Sequence, residues 1–128
     1  MYSTTERVPK VLKVAVTLAF TAALATAPLA MAEEKAETKE VTGEIVDMMC
    51  YIDHNAIGEK HAACGEKCIK GGAPVGIVSD GKAMIVVGAH KPMNDELAPL
   101  AGKTVTITGK VVSNGGVSML ENAEIVKK

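Results

Sequence analysis

Three cysteines, Cys50, Cys64 and Cys68, fall within nineteen residues, and two of the three histidines, His54 and His61, stand among them. Thiolate and imidazole are the donor set of tetrahedral Zn²⁺, and thiolate with thioether suits Cu⁺. Three cysteines with one histidine make a complete Cys₃His set, and Met48 and Met49 add soft sulfur just ahead of Cys50. On a helix, residues three and four apart share a face. His61, Cys64 and Cys68 would therefore form one stripe, with Cys50 and His54 close to its start. The spacing C-x13-C-x3-C is not that of a standard zinc finger, so the donor types carry this reading more than the spacing does.

Two other chemistries use the same residues. In an oxidising compartment a small domain is often stapled by a disulfide. Cys50 joined to Cys64 or Cys68 would close a loop of about 15 residues and contribute roughly 3 kcal/mol through lost unfolded-chain entropy. That pairing leaves one cysteine over. Thiol–disulfide exchange is the third option and the only enzymatic one, and no catalytic residue is expected on the first two readings. A histidine neighbour lowers a thiol pKa, but the pair here is C-x3-C rather than C-x2-C. Covalent haem needs C-x2-C-H, whereas Ile69 follows Cys68.

Other candidates have plainer explanations. His90 reads as a loop residue that reaches the cluster only if its loop folds over. Met84 and Met119 lie in strand patterns and read as core. Asp47 is either a carboxylate orienting a ligand histidine or a solvated acid at a strand end. Gly71-Gly72-x-Pro74-x-Gly76 lacks the Lys-Ser/Thr of a phosphate loop and reads as a helix stop. No Ser-His-Asp elbow and no carboxylate pair suited to hydrolysis is present.

The elements that must position these residues are short. Val41 to Met49 is rich in β-formers and predicts a first strand. Asp53 to Lys70 predicts a helix, stopped by Gly71-Gly72 and Pro74. Val75–Val78 and Lys82–Val87 flank Asp80-Gly81, a hairpin signal. Asn94 predicts the N-cap of a short helix over Asn94–Leu100. Thr104–Val112 alternates clearly, with Val105, Ile107 and Val111 on one side. Asn114-Gly115-Gly116 turns into Val117–Leu120, and Glu124–Val126 would add a last strand. The fold class is mainly β: a small five- to six-stranded OB-like barrel with a cysteine-bearing helix inserted after the first strand.

From Leu97 to Val126 the chain resembles the second half of bacterial exported OB-fold domains, where a short helix precedes a G-K-x-V-x-V-x-G-like strand and a Gly-rich hairpin. The segment after residue 32 is also similar to small exported proteins with a D-x2-C, H-x2-C-x3-C, G-x-P-x-G pattern. Asp47, Cys50, His61, Cys64, Cys68, Gly72, Pro74 and Gly76 match it. The resemblance implies fold and compartment and brings no activity with it.

Export is also read from the N-terminus directly. Arg7, Lys10 and Lys13 precede the apolar run Val14–Ala25, and Ala30-Met31-Ala32 fits a signal-peptidase site. The run is shorter than the roughly 20 apolar residues of a membrane span. Residues 1–32 are thus expected to be a cleavable signal, 33–40 a charged flexible leader, and 41–128 one domain that is periplasmic or secreted. After residue 32 the chain carries eleven lysines, no arginine and fourteen acids, a net charge of about −3. Without a basic face, nucleic acid and anionic lipid are poor partners. Tyr51 is then the one aromatic residue, so stacking on bases or sugars is also disfavoured. The expected partners are a metal ion, Zn²⁺ or Cu⁺, and, on the disulfide reading, a neighbouring exported protein that the stapled domain would assist.

Overall fold

The computed structural model describes residues 37–126. The expected signal segment and most of the expected leader lie outside the described residues. Five strands close into a barrel in the order β1-β2-β3-β5-β4. They are β1 (Thr38–Asp47), β2 (Val75–Ser79), β3 (Lys82–Val86), β4 (Thr104–Asn114) and β5 (Val117–Ile125). Between β1 and β2 come two helices, α1 (Met48–His54) and α2 (Glu59–Lys70). Between β3 and β4 come a short α3 (Asn94–Leu97) and a 3-10 turn (Ala98–Leu100). No helix among the described residues is long and apolar enough to cross a membrane.

The first strand does two jobs. Its first half, Thr38–Glu44, pairs antiparallel with β4, and its second half, Glu44–Asp47, pairs antiparallel with β2. Closure comes from a short parallel contact of β3 with β5, Ile85 with Met119 and Val86 with Leu120. This is the small OB-like barrel expected from the sequence, with the cysteine-bearing insertion after the first strand. Ile45, Ile77, Val86, Ile107 and Leu120 fill its interior, Ile69 of α2 and Leu97 of α3 enter the same core, and all seven are fully buried. The core is aliphatic, as a chain with one described aromatic residue requires.

The differences from expectation have local causes. The strand β1 begins at Thr38, inside the expected leader, because Thr38–Glu40 find partners in Thr108–Lys110 of β4. It ends at Asp47, whose Oδ1 accepts from the Met49 N–H at 3.0 Å and caps α1. Met48 and Met49 are therefore helical. The single helix expected over Asp53–Lys70 is two, because Asn55 adopts the left-handed conformation (φ 53°) and ends α1. Asn94 does not cap its own helix. Its Nδ2 donates to Ile69 O and Ala73 O, both at 2.8 Å, and so satisfies carbonyls at the end of α2. The two last strands expected are one continuous β5.

Candidate metal centre

Each cysteine is placed by a different part of this frame. Cys50 lies in the first turn of α1, which leaves the barrel directly from β1. Its entry is fixed by the Asp47 cap and by the Met48 N–H, which donates to Pro74 O at 2.9 Å. Met48 packs over Gly76: a Cβ at that position would meet Met48 Sδ, with Met48 Cγ and Met84 O at 2.8 Å. Only glycine lets α1 lie this close to β2. Pro74 and Gly76 are thus explained by the seating of α1, and Gly72 (φ 100°) by the turn out of α2.

Cys64 and Cys68 sit four residues apart on α2 and share a face. Ile69 anchors this helix in the core, and the Asn94 amide holds its end. Its start is pressed against the strand entry at Gly102, where an added Cβ would come within 2.8 Å of Ala62 Cβ. Gly102 also has φ 75°, which favours glycine independently. The Gly58 N–H, at the N-cap of α2, donates to the Glu44 carboxylate of β1.

The result is a cluster in which the three cysteine sulfurs all lie within 4.8 Å of one another. None is bridged: all three are free thiols, Cys64 exposed and the other two half-buried. Sulfurs tetrahedrally bound at about 2.3 Å from Zn²⁺ stand about 3.8 Å apart. The three thiols are therefore close enough to hold a metal ion after small side-chain adjustments.

The electrostatics of the cluster are those of a site short of positive charge. Asp47 is only 4% exposed, and its Oδ2 has no hydrogen-bond partner of regular geometry. It faces the Cys50 thiol and pushes its pKa from the ordinary 9.0 up to about 12. The carboxylate favours the protonated thiol and repels the thiolate, and desolvation and the other two thiols add to the shift. The Cys68 thiol is also raised, first by desolvation and then by Cys64 and Asp47. A buried carboxylate and three clustered thiols disfavour anions in the absence of a cation, and a bound cation reverses that balance.

The histidines are outside the sulfur group but beside it. A cavity of about 30 Å³, room for an ion or a water, is lined by Asp47, Cys50, His54, His61 and Cys64 among others. His54 Nδ1 lies 3.1 Å from Asp53 Oδ2. His61 stands on α2 three residues before Cys64, on the stripe expected for it, and is exposed in the first turn of that helix. His90 is remote, beside Lys91, Met119 and Glu121. Met84 is core, as expected. Met49 is exposed, and Met48, the first residue of α1, is buried against Gly76 of β2. Sequence reasoning undervalued Asp47, which touches a cysteine rather than a histidine; the D-x2-C spacing across a strand end was the available signal. No protein-family profile, curated protein or solved structure matches the chain.

Proposed function

We propose that this is an exported metal-binding protein in which Cys50, Cys64 and Cys68 hold one ion as thiolates. The observation that carries this reading is the convergence of three unbridged sulfurs within 4.8 Å from two separate helices. Zn²⁺ and Cu⁺ are the ions suited to such donors. The barrel core is complete without the cluster, and Cys64 is exposed, which supports buffering or hand-over of the ion rather than a purely structural role. Export rests on the signal-like segment at residues 1–32. Binding displaces the thiol protons, so affinity falls with acidification.

The test is native and denaturing mass on protein taken from the bacterial periplasm without added metal, with a thiol count on the denatured sample. One bound zinc or copper, and three thiols once it is removed, is the expected result. Cys64→Ser should lose the ion while leaving the far-UV circular dichroism unchanged, since its side chain is exposed. A metal-free mass two protons light, with one free thiol, would instead establish a disulfide-stapled domain that assists a neighbouring exported protein.

A further inference from the structure

We infer that His54, not His61, completes the site, and that the ion is therefore a divalent one of the zinc class held by Cys₃His. This rests on the three-thiolate reading above and adds to it the fourth ligand and the class of metal.

The two helices present matching pairs. Cys50 and His54 are four residues apart on α1, and Cys64 and Cys68 are four residues apart on α2. Each pair shares a helix face, and the two helices meet at the sulfur cluster. Four donors in two such pairs can enclose a tetrahedral ion. His61 is three residues from Cys64, but it would be a third donor from the same helix, leaving α1 with one. Both histidines line the cavity beside Cys50 and Cys64, so the choice between them rests on the pairing of donors and on the ring's own hydrogen bond.

The second observation concerns the ring itself. With its proton on Nδ1, His54 donates to Asp53 Oδ2 at 3.1 Å. That leaves Nε2 as the free lone pair, the arrangement in which a carboxylate orients a metal-binding imidazole and strengthens it as a donor. The His61 ring has no such partner among the described residues. The His54 side chain is 56% exposed in the last turn of α1. Bringing Nε2 to the sulfurs is a side-chain rotation, and Asp53, 85% exposed, can move with the ring and keep its bond to Nδ1. Cu⁺ is satisfied by thiolates alone, whereas tetrahedral Zn²⁺ takes a fourth donor. The presence of an oriented imidazole beside three thiols therefore selects the divalent ion.

Reduced full-length protein loaded with Co²⁺ under nitrogen reports the ligand set through its visible spectrum. The wild type should show thiolate-to-cobalt charge transfer with the intense ligand-field bands of a tetrahedral site. His54→Ala should shift those bands and weaken Co²⁺ and Zn²⁺ binding by about 100-fold. Asp53→Asn should weaken binding by about 10-fold with the same band positions. His61→Ala should change neither, and Cu⁺ affinity should be insensitive to His54→Ala. Circular dichroism on each variant separates ligand loss from unfolding. Bands that respond to His61→Ala, or to neither histidine, would overturn the assignment of His54 while leaving the three thiolates intact. Absence of thiolate charge transfer in the wild type would overturn the three-thiolate reading itself.

Discussion

The barrel interior and the α1–α2 insertion are built on opposite principles. Inside the barrel, Ile45, Ile77, Ile107 and Leu120 are fully buried and aliphatic, held by strand pairing around the whole ring. At the insertion, three thiols converge beside the Asp47 carboxylate at the end of β1, one oxygen of which has no regular partner. The barrel thus stores stability, whereas the insertion gathers thiols whose ionised forms are disfavoured beside Asp47 in the absence of a cation. One region is finished by folding; the other, on the proposed function, would be finished by a ligand.

The largest effect that would test this division is in the core. Ile107→Ala should destabilise the protein by about 2–5 kcal/mol in urea unfolding, through lost burial and a cavity. It should leave the metal stoichiometry of the folded fraction unchanged. A loss of metal parallel to the loss of stability would show that the two regions are not separable.

Gly102→Ala acts at the seam between them. A residue with a Cβ at φ 75°, facing Ala62, should cost about 1–3 kcal/mol. Because the clash displaces the start of α2, it should also weaken metal binding, which Ile107→Ala should not. Isothermal titration beside urea unfolding distinguishes the two variants.

The smallest effect is in the metal-free insertion and appears on the alkaline side. In the unfolded chain Cys50 ionises near 9.0, and in the folded protein only near about 12. Below pH 9 the thiol is protonated in both states, and the folded state's preference for the neutral form is fully in force. From about pH 9 to about 12 the unfolded chain gains the thiolate and the folded one resists it, so stability falls across that window. Cys50→Ser should flatten this alkaline decline in a pH series of thermal melts. An unchanged slope would mean that Asp47 does not act on Cys50.

The barrel was legible in the sequence because its signals are periodic. The alternation through Val105, Ile107 and Val111 and the turn at Asp80-Gly81 depend on neighbours close in the chain, and both hold. The insertion was legible in composition but not in shape. Nothing in the residue types around Asn55 announces that it takes the left-handed conformation, so one helix was expected where two form. That break brings Cys50 and His54 onto their own helix, while His61, Cys64 and Cys68 share α2 as the spacing led one to expect. Asn94 was misread for a related reason. Its amide serves the end of another helix, 21 to 25 residues earlier in the chain, a partnership that no local rule reveals.

One property of the barrel bears on how the protein could meet another. Every strand in the closed ring has a neighbour on both sides. Where a strand is paired on both sides it cannot accept a strand from a partner, and the stretches paired on one side only are short: Thr38–Gly43 of β1 with β4 alone, and the part of β5 beyond its two-pair contact with β3. Side chains offer a broader surface. Met49 and Ile52, the two most exposed large apolar residues described, at 64% and 73%, stand on α1 on either side of Cys50. An encounter there would be a contact of surfaces, with the thiols within reach of whatever the visitor carries.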